Sequence, residues 1–236
     1  MGITSVVVAV ALSLMAEPKP QAARPPAAVV PPSPASRLEL KTVVDRVQHR
    51  YDAAGDFRAR FTQTLTNPTF NRKSTSSGEV LLKKPGRMRW NYEKPEPKMY
   101  LADGDLLWLY EPEDKQAFKQ DLKSSQLPAA LAFLTGKGKL SDEFDISFAA
   151  NPGYGTARDY VLLLQPKRAQ AQVKSLMFVV DPVSFHVRES ILVDGQGNTN
   201  DMLFSDVKVG TGLPDSSFRW TPPAGVRVID TAKLGK

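Results

Sequence analysis

The side chains that most often carry out chemistry are sparse in this chain. Of its 236 residues none is cysteine, which removes disulfides, thiolate metal sites, a thiol nucleophile and a lipid-modified N-terminal cysteine in one step. Histidine occurs only as His49 and His186, far apart in sequence and without a thiol partner. That spacing matches none of the usual metal clusters, so both read as structural or surface residues, and no metal or cofactor is expected. Two carboxylates suffice for glycoside hydrolysis. Yet Asp103, Asp105, Asp114 and Asp194 stand at expected turns, where an Asp side chain is explained by its bond to the nearby backbone. No G-x-S-x-G elbow, phosphate loop or dinucleotide fingerprint is present. An all-β hydrolase is left as an alternative with no positive residue behind it, and the expectation is that the chain is not an enzyme.

Apolar and aromatic surface is what the sequence does offer. The stretch KKPGRMRWNYEKPEPKMYLADGDLLWLYEP, Lys83 to Pro112, holds two tryptophans and three tyrosines. Met88, Trp90 and Tyr92 alternate with Arg87, Arg89 and Asn91, so one face of that strand is apolar and the other polar. By the same period Leu106, Trp108 and Tyr110 share a face. Asp103-Gly104 between the two runs is a strong hairpin signal. A two-residue loop there sets Met99 and Leu101 beside the second trio, whereas a three-residue loop sets Tyr100 there, because a slip of one residue flips the faces. On period alone, a filled sandwich core is the simpler account of these aromatics.

The elements that must position them follow from periodicity. Leu40, Val43, Val44, Val47 and Tyr51 recur at helical spacing behind a capping box of Ser36 and Glu39, predicting one amphipathic helix that ends near Gly55. From Phe57 the period becomes two, and short strands follow one another between turn residues as far as Phe218 to Trp220. One helix interrupts them at Ser125 to Gly136, with an apolar stripe that needs a sheet face to cover. About eleven antiparallel strands with few helices predict one strongly curved sheet or an incomplete barrel.

Outside this region, residues 3 to 16, ITSVVVAVALSLMA, have the character of a signal-peptide apolar core. They are shorter than the roughly 18 to 20 residues of a membrane-crossing helix. Residues 17–36 are rich in proline and read as a linker. The expected organisation is a signal peptide over 1–16, that linker, and one domain over 37–236. The formal net charge is +6, scattered along the chain. It gives a weak preference for anionic surfaces and no sign of a nucleic-acid module.

Four blocks, taken in order, carry a resemblance. They are F-x-x-x-F-T-Q at Phe57 to Gln63, the KKPGRMRWNY block, D-G-x-x-x-W-x-Y-x-P at Asp103 to Pro112, and F-x-W-T-P-P-x-G-V at Phe218 to Val226. Together they resemble the periplasmic outer-membrane lipoprotein carrier family. The resemblance implies a mainly β fold, a half-open antiparallel barrel of about eleven strands with helices as a lid over an apolar cavity. It implies a monomeric chaperone that takes triacylated lipoproteins from an inner-membrane ABC transporter to an outer-membrane receptor. A shuttle for another lipid or glycolipid is the alternative within the fold. Carried onto this chain, Met88 and Trp90 would line the cavity, with Leu106, Trp108 and Tyr110 as further wall candidates, and Leu127, Leu131 and Leu134 would belong to the lid. The residue before the proline of the second block, an arginine that helps hold the lid in well-known members, is Lys84 here.

Overall fold

The computed structural model describes residues 37–122, 139–150, 153–169 and 173–231. The predicted lid helix, with Leu127, Leu131 and Leu134, lies outside the described residues, as do the apolar run at 3–16 and the linker at 17–36.

Among the described residues twelve strands form one sheet in the order β12-β6-β5-β4-β3-β2-β1-β11-β10-β9-β8-β7. The strands are β1 (Asp56–Asn67), β2 (Arg72–Lys83), β3 (Arg87–Lys94), β4 (Lys98–Ala102), β5 (Leu106–Glu111), β6 (Gln116–Asp121), β7 (Phe144–Phe148), β8 (Tyr160–Pro166), β9 (Ser175–Val180), β10 (Val187–Val193), β11 (Thr199–Val209) and β12 (Arg227–Asp230). The two outermost strands, β12 and β7, do not pair, so the barrel is open. Neighbours are antiparallel except β12, which runs parallel to β6. Helix α1 (Leu40–Asp52) accounts for most of the described helical structure.

One face of the sheet and α1 share a single core. Val43, Val47 and Tyr51 of α1 pack with Phe61, Val80 and Trp90 of β1 to β3 and with Leu162, Leu164 and Phe178 of β8 and β9. Residues from strands far apart in the sheet order meet in this cluster, so the sheet curves around the helix. The opposite face carries two smaller clusters, one on Met99, Leu101, Trp108 and Ala117 and the other on Val161, Val179 and Ile191.

Three local features depart from the periodicity. Helix α1 starts at Leu40 with Glu39 as its N-cap and no side-chain cap bond. The chain before it is held by distant partners instead: Arg37 donates to the carbonyls of Ala157 and Asp159, and the Leu38 amide donates to the Tyr160 hydroxyl. Tertiary contacts thereby replace the local cap. The segment expected as a strand at Phe218 to Trp220 is instead a 3₁₀ turn, Asp215–Phe218, followed by extended chain. Its path is set by Asp56, a buried carboxylate that accepts from the amides of Thr211, Gly212 and Leu213 and from the Thr211 hydroxyl. Burial pushes the Asp56 carboxyl up, but these donors outweigh it and leave it below the ordinary carboxylate range. Finally, β12 has no counterpart among the expected strands.

Candidate functional site

The concave face is built on β3. Met88 and Trp90 are 4 % and 6 % exposed and belong to the same core cluster as α1. Across the ladder Met88 faces Ala102 and Trp90 faces Tyr100, while on the other side they face Leu82 and Val80. Phe61 of β1 presents its ring edgewise to both Trp90, at 5.1 Å, and Tyr92, at 4.9 Å. Room for this cluster comes from Gly78, the cross-strand partner of Phe61, where a Cβ would stand 1.9 Å from the Asn91 carbonyl oxygen. The Trp90 indole Nε1 is buried and has no hydrogen-bond partner. An unpaired donor in an apolar wall is costly to keep, and it suits a ligand that brings an acceptor.

Toward the β1–β2 hairpin tip the same face turns polar. Tyr92 donates to the Gln63 side chain, and Gln63 donates to Asn200. Burial, and then neighbouring Tyr100, push the Tyr92 phenol up to about 12. Lys98 stands over the Tyr92 ring at 4.7 Å.

The hairpin register is resolved by Leu101 facing Trp108 and Met99 facing Tyr110. Asp103 and Leu106 close the turn around Gly104, whose φ is +116°, and the Asp103 carboxylate accepts from the Asp105 and Leu106 amides. Met99 and Leu101 therefore share a face with Leu106, Trp108 and Tyr110, on the opposite side of the sheet from Met88 and Trp90. There Trp220 covers them, its ring 5.4 Å from that of Trp108 and 4.9 Å from that of Tyr110. The structure thus brings Met88 and Trp90 together and sets the hairpin trio in a separate cluster. On the concave side β4 and β5 contribute Tyr100, Ala102 and Leu107. Periodicity yields these three once the loop length is known.

Lys84 reaches the end of α1. Its Nζ donates to the carbonyls of Tyr51, at 2.6 Å, and Asp52, at 3.2 Å. Those carbonyls are in the last helical turn, where backbone acceptors lack intrahelical partners and a cation meets the negative end of the helix dipole. Two further ties hold the same turn. The Val187 amide donates to the buried Tyr51 hydroxyl, and Arg50 Nε donates to His186 Nε2 at 2.7 Å. His186 accepts through Nε2 only as a neutral ring, and burial followed by the Arg50 charge keeps its pKa below the ordinary value. Among the described residues no group of three or more metal-ligating side chains converges, and no helix is long and apolar enough to cross a membrane.

Comparison with known proteins agrees with this geometry. Residues 53–221 match the family described as "Outer membrane lipoprotein carrier protein LolA". The outer-membrane lipoprotein carrier protein of Pseudomonas paraeruginosa is 31% identical over 192 residues, covering 79% of this chain and 86% of its own. That of Methylibium petroleiphilum is 31% identical over 175 residues, covering 73% of this chain and 81% of its own. Among solved structures, an uncharacterized conserved protein from Thermus thermophilus superposes with a TM-score of 0.51 at 12% identity, covering 80% of this chain and 98% of that one. That last likeness speaks for the fold alone. With the family match spanning most of the chain and relatives 31% identical over most of their length, the chain belongs to the outer-membrane lipoprotein carrier protein family.

Proposed function

We propose that the protein is a periplasmic chaperone that shields the acyl chains of triacylated lipoproteins against its concave face. It receives them from an inner-membrane ABC transporter and delivers them to an outer-membrane receptor. It acts as a monomer and catalyses no reaction. The observation that carries the reading is the continuous apolar face that, among the described residues, packs against the buried side of one amphipathic helix whose last turn is also tied by polar bonds. Each buried methylene is worth about 0.8 kcal/mol, so an acyl chain of about 16 carbons resists entering water by on the order of 10 kcal/mol. A soluble carrier must match that with apolar wall, which Met88, Trp90, Phe61 and Tyr100 provide. It must also release the cargo, and a helix that can lift from the sheet gives the chains a way in and out. Directed transfer then needs only a receptor with a better-matched cavity. The hairpin trio Leu106, Trp108 and Tyr110 takes a different part, fastening the C-terminal segment through Trp220 to the outer face.

The test is to mix the purified protein with lipoprotein-loaded spheroplasts whose transporter is active. Lipoprotein is expected in the soluble fraction, bound to the protein. Its absence there would sink the carrier reading. Organic extraction and mass spectrometry of the purified protein identify a glycolipid or other lipid if that is the cargo instead.

A further inference from the structure

The β1–β2 hairpin ends in an ordered tip that displays an aromatic side chain to solvent. Asn67 accepts the Phe70 amide on its side-chain oxygen, the Asn71 amide donates to the Pro68 carbonyl, and Asn71 takes φ +47°. In this fixed turn Phe70 is 71% exposed, and Leu65 just behind it is 44% exposed. Arg72 and Lys73 follow at once, both exposed, and by the period of two they stand on opposite faces of β2, bracketing the tip. Neither forms an ion pair among the described residues. The β10–β11 turn lies beside the tip, and with it encloses an open groove of about 460 Å³ lined by Leu65, Phe70, Arg72, Lys73, Leu192 and Asp194. The one carboxylate in that lining is already taken, since Asp194 accepts from the amides of Gln196 and Asn198 and from the Asn198 side chain.

We infer that this tip docks the protein on an anionic phospholipid surface, Phe70 entering the headgroup boundary while Arg72 and Lys73 meet lipid phosphates. An aromatic ring beside two cations is the chemistry of an interfacial anchor. The apolar area is too small to hold a protein partner on its own, since stable protein interfaces bury well over about 1,000 Å². Exposure alone is not the reason. Val183, in the β9–β10 turn, is 86% exposed, yet the turn itself carries Asp181 and no Lys or Arg, and the cations across from it are engaged, Arg46 over the Phe185 ring and Arg50 on His186. That turn precedes β10 while the β10–β11 turn follows it, so Val183 marks the other end of the sheet.

Because the chain has no cysteine, a single Thr69→Cys substitution accepts an environment-sensitive fluorophore at the tip while keeping Phe70. The labelled full chain is titrated with vesicles of phosphatidylcholine alone and of phosphatidylcholine mixed with phosphatidylglycerol. A blue shift is expected only with the anionic vesicles, and a label at Val183→Cys is expected not to respond. Phe70→Ser should weaken the response roughly tenfold, the effect of withdrawing one aromatic side chain from an apolar phase. Arg72→Gln and Lys73→Gln should each weaken it about fivefold, and high salt should do the same. All three sites are exposed, so the melting temperature should not move. The inference fails if Phe70→Ser leaves the shift unchanged, or if Val183→Cys responds equally. It also fails if the shift grows with protein concentration without vesicles, which would assign the tip to a second copy of the chain. None of these readouts depends on what the concave face holds.

Discussion

An ammonium group at position 84 has three rotatable donors, and two of them are met by the Tyr51 and Asp52 carbonyls at the end of α1. A guanidinium there would present a planar fork instead. Lys84→Leu removes the cation from the helix terminus, a loss of about 1 kcal/mol for a half-buried site. Hydrogen exchange should accelerate in the last turn of α1, and cargo should leave faster in a transfer assay, whereas Lys84→Arg should keep both near the native values. Unchanged exchange and transfer in Lys84→Leu would remove the residue from any gating role. Trp90 makes the complementary case. Its Nε1 has no partner in the free protein, so Trp90→Phe loses no hydrogen bond, and the smaller ring in the packed core should lower stability in urea by about 1 to 2 kcal/mol. Loading with acylated cargo should weaken if the indole donates to a carbonyl of the lipid anchor. Equal loading of the two proteins would show that the donor is idle.

Among the elements, β2 and β3 are the most tightly specified. Gly78 lets the Asn91 carbonyl and the Phe61 ring close over it at a bulge, so Gly78→Ala forces backbone apart and should cost about 2 kcal/mol or more in thermal unfolding. Strands of this kind were legible in the sequence because one face is apolar and the other charged, as in Met88-Arg89-Trp90. The first half of β2 was not, since Lys73 to Ser77 carry no apolar residue and are mostly exposed. Nor was β12, whose four residues offer too short a run to show a period. Phe218 and Trp220 alternate like strand residues, but Asp56 and its long-range bonds to 211–213 decide the path of that segment. The candidate site divides the same way. Period alone put Met88 and Trp90 on one face, whereas the face of Trp108 hung on a turn that two loop lengths could close. The contact of Lys84 with α1 joins residues 33 apart in sequence and leaves no local trace.

For the whole molecule, two groups set opposite pH trends. Burial and the Arg50 charge depress His186, so the native state binds fewer protons than the unfolded one. Its contribution is complete above the ordinary value of 6.5 and is lost as pH falls through the lower native pKa. Glu189 behaves in reverse. On the outer face it is half-buried beside Asp201, and burial followed by the Asp201 charge pushes it up to about 7. The native state then holds a proton that the unfolded state releases near 4.5, so stability falls as pH rises from there to about 7. Glu189→Gln should accordingly be more stable than the native protein at pH 8 and similar to it at pH 4, while His186→Gln should lose the destabilisation on mild acidification. Urea unfolding across this range checks both, and identical profiles for all three proteins would refute the assignment. The parallel strand β12 also acts at this scale. An open sheet exposes backbone donors and acceptors along its margins, which invites other chains to add strands. β12 covers the margin of β6 with only four residues and fastens it by the Arg227–Gln116 and Lys119–Asp230 side-chain pairs. Ile229→Pro should unseat it, and light scattering should then report more association than for the unsubstituted protein at the same concentration. A four-residue parallel strand thereby closes one margin of an open barrel to strand addition by another chain.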